Sequence, residues 1–217
     1  MPPIVSIVGK SKSGKTTLIE RILQELKSRG YRVATVKHVA RGMTFDEPDK
    51  DSWRHIQAGS EATAISSPSG IVLVKPTTSD AALDEIVRLF GEDYDLILAE
   101  GFKRDSAPKI EVHRKEVGPP LSAVRRLIAI VTDEPLETKA RQFSQPDIKG
   151  LADFLEEGFI APQRERTSLY INNALIPLGS FPKKFMANVF LGMISALKGV
   201  GKVSSLDFSL RRKPSKD

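Results

Sequence analysis

The sequence predicts an α/β protein built on a doubly wound, mostly parallel sheet, and three observations point there. β-rich apolar runs alternate with stretches of helical spacing over the first 155 residues. Two of those runs, residues 94–99 and 127–131, are almost continuously apolar, as strands covered on both faces are. A glycine-rich segment separates the first β-run from the first helical stretch.

Taken in order, residues 4–8 form the first strand. After the glycine segment, Leu18, Ile19, Ile22, Leu23 and Leu26 recur at helical spacing, and Gly30 ends that helix. Residues 32–37 supply a second strand and complete a βαβ beginning. Residues 38–50 are polar and predict a loop, followed by a short helix over 51–58 with Asp51 placed as its cap. Residues 62–66 and 70–75 are β-rich. They precede a helix carrying Leu83, Ile86, Val87 and Phe90, which Ser79 is positioned to cap. Residues 109–113 predict a less apolar strand, and short helices are expected over 136–143 and 148–155. Helical and strand periods fade over 156–165, where Gly158 and Pro162 predict a linker.

The main domain is therefore expected to span residues 1–160, with a small α+β unit of ββαβ order over 166–210. Residues 168–171 and 174–178 flank Asn172-Asn173, a pair that tolerates positive φ in a hairpin turn. Phe181, Phe185, Met186, Val189, Phe190, Met193, Ile194 and Leu197 form an apolar stripe at helical spacing, ended by Gly199. Leu206, Phe208 and Leu210 alternate as a strand, and residues 211–217 are a basic tail. A unit this small is expected to pack on the main domain or on a partner chain.

The net charge of +6 is unevenly placed, because from Gln163 onward ten Lys/Arg face three Asp/Glu. The absence of cysteine excludes a disulfide framework, thiolate metal sites and a cysteine nucleophile, and cytoplasm is the expected compartment. No apolar run reaches the ~18 residues of a membrane span, and residues 1–8 predict a strand instead of a signal peptide.

The glycine segment reads Gly9, Lys10, Ser11, Lys12, Ser13, Gly14, Lys15, Thr16 and then Thr17, which matches G-x-x-x-x-G-K-[ST]. Glycines let successive backbone N–H groups wrap phosphate oxygens, and the following helix start adds its unpaired N–H groups. That is a Walker A phosphate loop of the P-loop NTPase fold. Lys15 is expected at the β/γ-phosphates and Thr16 on Mg²⁺. Lys10 and Lys12 either add positive potential or are solvated loop lysines. The metal also needs an acid at a neighbouring strand end. Asp95 and Glu100 lie roughly 16 Å apart along one strand, and ligands bind beyond carboxyl ends, which selects Glu100.

These segments resemble the molybdopterin-guanine dinucleotide biosynthesis adapter family, MobB. The likeness rests on residues 9–17, on Thr35-Val-Lys-His38 continuing through residues 50–59, and on residues 95–103, and it covers roughly residues 1–155. It implies GTP and Mg²⁺ as ligands, phosphate binding at Gly14, Lys15, Thr16 and Thr17, and metal-side roles for Glu100 and Asp46. It also implies a homodimer and, as partners, molybdopterin cofactor and its guanylyltransferase or a molybdoenzyme. The loop after Lys37-His38 departs from the family pattern, with Arg41 where a second histidine is expected and Asp49 where glycine is common.

Guanine recognition has no N-K-x-D motif to carry it. Asp133, in Val131-Thr-Asp-Glu134, either accepts from guanine N1 and N2 or is a turn aspartate before Pro135. His38 and Lys37 each admit a phosphate contact or an ordinary strand-end role, and Trp53 is expected to pack. With no arginine finger or water-positioning glutamine identifiable, the chain is at most a slow GTPase. A small-metabolite kinase is the alternative, with Arg125 and Arg126 as its candidate lid. A nickel-insertion GTPase would want cysteine or clustered histidine. Nucleic acid is not an expected partner, because Phe181, Phe185 and Phe190 fall on the apolar helix face.

Overall fold

The computed structural model describes residues 1–39, 50–163, 166–172 and 174–210. They belong to two compact units, Met1–Arg164 and Glu165–Asp217.

In the first unit the strands are β1 (Ile4–Val8), β2 (Val33–Lys37), β3 (Thr63–Ser67), β4 (Gly70–Val74), β5 (Leu96–Glu100), β6 (Lys109–Val112), β7 (Leu127–Thr132) and β8 (Arg141–Ser144). The helices are α1 (Lys15–Ser28), α2 (Asp51–Gln57), α3 (Leu83–Arg88) and α4 (Ile148–Leu155). Six strands make one sheet in the order β2-β5-β1-β6-β7-β8, every pair parallel. All six carboxyl ends therefore share one edge.

Both sheet faces are covered. Val5, Ile7, Ile110, Val112, Ala129 and Val131 pack with Leu18, Ile22 and Leu26 of α1 and with Leu151 and Leu155 of α4. On the other side Ala34, Val36, Ile97 and Ala99 pack with Leu83 and Val87 of α3. Strand alternation splits Leu96/Leu98 from Ile97/Ala99 between these two layers, which explains why β5 must be apolar throughout. β3 and β4 stand apart as an antiparallel hairpin with Ile65, Ile71, Val72 and Leu73 exposed.

The expected helix over 136–143 is absent. Residues 141–144 instead extend the sheet as β8, with Phe143 buried in the core between exposed neighbours. The Gln142 side chain bonds both the N–H and the carbonyl of Leu136, holding the preceding residues as a loop. Sheet-edge pairing thus prevails over the helical spacing of the apolar positions.

Ser79 does not cap α3, whose N-cap is Ala82 without a side-chain bond, and Asp51 is the first residue of α2, not its cap. The expected linker over 156–165 is also overturned for residues 156–163, the other two lying outside the described residues. Two helical turns, Glu156–Ile160 and Ala161–Gln163, continue α4, and Ile160 joins the core. Arg29 explains the continuation: its guanidinium bonds Glu25, Asp153 and Glu156 at 2.6–3.0 Å while Tyr31 donates to Glu156 at 2.6 Å.

In the second unit β9 (Leu169–Ile171) and β10 (Ala174–Ile176) form the expected hairpin, with Asn172 at φ 49°. α5 (Ser180–Ser195) follows. Residues 206–210 do not form the expected strand; Phe208 instead lies 5.5 Å, ring to ring, from Phe190. Phe181 and Phe185 are exposed and stacked 6.2 Å apart, so the stripe does not serve as core along its whole length. The tail at 211–217 lies outside the described residues.

Candidate functional site

The loop between β1 and α1 is shaped by its glycines. At Gly9, with φ 154°, a Cβ would stand 2.5 Å from the Val112 carbonyl oxygen and 2.6 Å from Ser13 Oγ, so only hydrogen fits. Gly14, at φ 93°, is the N-cap of α1 in the left-handed region and offers no side-chain cap. No acidic residue occupies the first turn. The N–H groups of Lys15, Thr16 and Thr17 therefore have no intrahelical acceptor, and the positive end of the helix faces the loop.

Lys15 folds back so that its Nζ donates to the Lys10 carbonyl at 2.7 Å and approaches that of Gly9 at 3.5 Å. Burial pushes the Lys15 ammonium below its usual range, Glu100 opposes that shift, and Lys103 and Lys37 add to it. Ser13 is buried, Lys10 is half-buried, and Ser11 and Lys12 are exposed, Lys12 at φ 63°. The loop thus collects five basic or hydroxyl side chains, those of Lys10, Ser11, Lys12, Ser13 and Lys15.

Glu100 ends β5, the neighbour of β1, and register sets it beside Ile7 and Lys37. Its two carboxylate oxygens accept from the Thr16 hydroxyl at 3.1 and 3.2 Å, and Lys37 Nζ stands 3.5 Å away. Cis ligands on an octahedral Mg²⁺ with bonds of about 2.0–2.1 Å are separated by about 2.9 Å. The Thr16–Glu100 pair is close to that spacing, so its oxygens fit two neighbouring positions of an octahedral Mg²⁺. No cluster of three or more His, Cys, Asp or Glu that could hold a metal is present among the described residues. Asp46, the other expected metal-side carboxylate, lies outside the described residues, as do Arg41 and Asp49.

Asp95 is at the opposite end of β5 from Glu100, its carboxylate accepting the Arg32 N–H at 2.8 Å. His38 donates its backbone N–H to the Glu100 carbonyl at 3.0 Å and lies 5.2 Å from the Phe102 ring, so it borders the site. Trp53 is not packed as expected: α2 contributes no buried residue, and Trp53 is 36% exposed. Arg125 and Arg126 precede β7 and so lie at the amino edge of the sheet, Arg126 donating to the Ser106 carbonyl at 2.7 Å. That placement removes them as a lid over the phosphate loop.

Asp133 follows β7 at the same sheet edge as the phosphate loop. It lines an open cleft of about 560 Å³ bounded by residues 132–135 and 142–146. β1 and β8 are separated by β6 and β7, so the cleft centre is on the order of 10–15 Å from the loop. Arg21, on α1, bonds the Gln145 carbonyl at 2.9 Å and joins the cleft wall to the helix that carries the loop.

Sequence reasoning missed the segment between loop and cleft. Arg114 Nε donates to the Ser13 carbonyl at 3.4 Å, and its guanidinium stands 3.3 Å from where a Cβ on Gly14 would be. His113 and Glu134 pair at 2.9 Å, and the Lys115 N–H donates to Asp133 at 3.0 Å. The alternation of charged residues over 109–115 was the available signal.

A family model, molybdopterin guanine dinucleotide synthesis protein B, matches residues 4–133. The chain belongs to the MobB family. A Haemophilus influenzae molybdopterin-guanine dinucleotide biosynthesis adapter protein is 36% identical over 156 residues, covering 71% of this chain and 88% of that one. The crystal structure of Bacillus subtilis MobB superposes with a TM-score of 0.56 at 30% identity, covering 72% of this chain and 98% of that one. The sheet order and these MobB neighbours make the first unit a P-loop NTPase α/β fold. A relative from Methanocaldococcus jannaschii, 26% identical over 226 residues, covers 91% of this chain and 92% of that protein. That alignment extends over more of this chain than the 72% covered by the Bacillus subtilis structure. No helix among the described residues is long and apolar enough to cross a membrane.

Proposed function

We propose that this MobB chain binds GTP with Mg²⁺ and acts as an adapter in molybdopterin guanine dinucleotide biosynthesis, supplying nucleotide or cofactor to the guanylyltransferase or to a molybdoenzyme. The observation that carries the nucleotide reading is the convergence of Thr16 and Glu100 beside an uncapped helix start. In it, the N–H groups of residues 14–17 hold the phosphates and Lys15 leaves its carbonyl acceptors for the β/γ oxygens. Thr16 and Glu100 hold Mg²⁺, which neutralises phosphate charge when bound. The base lies in the cleft at Asp133, whose carboxylate accepts from guanine N1 and N2.

Hydrolysis is slow in this reading, because the sequence offers no identifiable arginine finger or water-positioning glutamine and the Arg125/Arg126 pair lies at the amino edge of the sheet. The role in the pathway rests on family membership. A homodimer belongs to the same proposal. The β3–β4 hairpin leaves Ile65, Ile71, Val72 and Leu73 exposed, an apolar surface that a second copy would cover.

Calorimetric titration with GTP and ATP, each with and without Mg²⁺, tests the nucleotide reading. Micromolar or tighter GTP binding that weakens when Mg²⁺ is withdrawn supports it. Absence of binding, or tighter binding of ATP, rejects it.

A further inference from the structure

Sheet order puts β6 between β1, which leads into the phosphate loop, and β7, which leads into the Asp133 turn. The residues leaving β6 must therefore pass between the two. Arg114 is extended there, with φ −134° and ψ 130°, and a 3-10 turn over Lys115–Val117 follows it. In extended chain successive side chains point to opposite sides, so His113 and Arg114 diverge. Arg114 reaches the phosphate loop and His113 the other turn, and Lys115, at the start of the 3-10 turn, also contacts Asp133 and Glu134.

On the loop side the contacts are close. Arg114 Nε bonds the Ser13 carbonyl, the Val112 carbonyl closes the space beside Gly9, and Lys10 Nζ stands 3.2 Å from the position of a Cβ on Gly118. On the turn side, His113 is buried at 3% exposure and bonds Glu134 at 2.9 Å, while Lys115 Nζ stands 3.7 Å from the second Glu134 oxygen. The Lys115 N–H fixes one oxygen of the Asp133 carboxylate at 3.0 Å. Thr132 Oγ1 closes the turn onto the Glu134 backbone at 2.8 and 3.2 Å.

We propose that residues 113–115 couple base recognition to phosphate binding, Arg114 holding the phosphate loop from one side of the run while His113 and Lys115 hold the Asp133–Glu134 turn from the other. This deepens the GTP reading and rests on it. Arg114 is a positioning residue: its bond orients the Ser13 peptide, and with it the N–H groups that follow, without touching the base. Glu134 is its counterpart at the base end and touches no phosphate. A displacement at either end shifts the shared run and so reaches the other, which gives the site a preference for ligands that carry both guanine and phosphates.

The test uses the full chain and two probes. Inorganic tripolyphosphate has phosphates and no base, and the ratio of GTP to ATP affinity reports on the base alone. Glu134→Gln is expected to weaken tripolyphosphate binding by threefold or more, although Glu134 is at the base end. Arg114→Ala is expected to lower the GTP:ATP affinity ratio by threefold or more, although Arg114 touches only the phosphate loop. A local role would leave both cross-effects at one, and that result in a chain that prefers GTP overturns the coupling while sparing the nucleotide reading. A wild-type chain that binds tripolyphosphate but does not distinguish GTP from ATP rejects the base site and the coupling together. Arg114→Lys, which keeps the charge but not the planar fork, carries the same comparison should Arg114→Ala fail to fold.

Discussion

The Thr16 hydroxyl stands 3.1 and 3.2 Å from the two carboxylate oxygens of Glu100, a pair 84 residues apart in sequence brought together by parallel pairing of β1 and β5. Removing the charge while keeping the shape separates a metal role from a structural one. Glu100→Gln is expected to weaken GTP binding about tenfold or more in the presence of Mg²⁺ and to change it little in EDTA. Equal losses under both conditions would make Glu100 a structural carboxylate.

Lys15, proposed to hold the β/γ-phosphates, is held at a cost to the fold. Burial lowers its pKa in the folded chain, so the unfolded state binds the Lys15 proton more tightly. Stability from this group is therefore lowest at neutral pH and rises as pH climbs through the folded pKa towards 10.5. Lys15→Met is expected to leave the unfolding temperature at pH 7 unchanged or higher while weakening GTP affinity about 100-fold. A variant that melts lower and still binds GTP would contradict both halves.

Glu156 is the opposite case. Hydrogen bonds from Tyr31 and Arg29 hold its carboxyl below the usual value, so its contribution is present above about pH 4.5 and is lost as pH falls through the lower folded value. Glu156→Gln is expected to flatten the acid limb of the stability curve below pH 4.5 while leaving GTP affinity unchanged. Urea titrations at pH 7, 4.5 and 3.5 measure this. An acid limb as steep as the wild type would remove Glu156 from the account.

Lys109 is fully buried, and its ammonium donates to the Ala107 and Asp105 carbonyls. Lys109→Met leaves both carbonyls without that donor, which costs about 1–3 kcal/mol. The loop over 101–108, which follows Glu100, should then be cut faster by protease. Unchanged stability and cleavage would mean that the two carbonyls find other donors.

β1 and β2 were legible because the helical spacing of α1 between them is unambiguous, and β5 and β7 because they are apolar on both faces. The phosphate loop was legible for a different reason: only glycine satisfies φ 93° at Gly14 and the contacts at Gly9, so the motif is written in residue type. β8 was misread because Leu136 and Phe143 repeat at seven residues, and nothing local reveals that an open sheet edge awaits residues 141–144. The helical continuation after Leu155 was hidden because Arg29, 127 residues away from Glu156, holds it. Arg114 was overlooked for the same reason, since its partner Ser13 is 101 residues distant. Side-chain contacts of that range leave no periodicity.

The second unit begins after Arg164, so a fragment of residues 1–164 keeps every residue assigned to the nucleotide site. It is expected to bind GTP within about twofold of the full chain. A cut near Pro162, by contrast, interrupts the Ala161–Gln163 turn that follows directly on the core residue Ile160. A 1–164 fragment that is folded but does not bind GTP would place part of the site in the second unit.

A crystal structure of the chain with Mg²⁺ and a non-hydrolysable GTP analogue tests the site most directly. Phosphate oxygens are expected within about 3.2 Å of the N–H groups of residues 14–17 and a metal about 2.0–2.2 Å from Thr16 Oγ1. Guanine is expected in the cleft with N1 and N2 on Asp133. A nucleotide bound elsewhere, or phosphates in the loop with the base turned away from Asp133, would contradict this assignment.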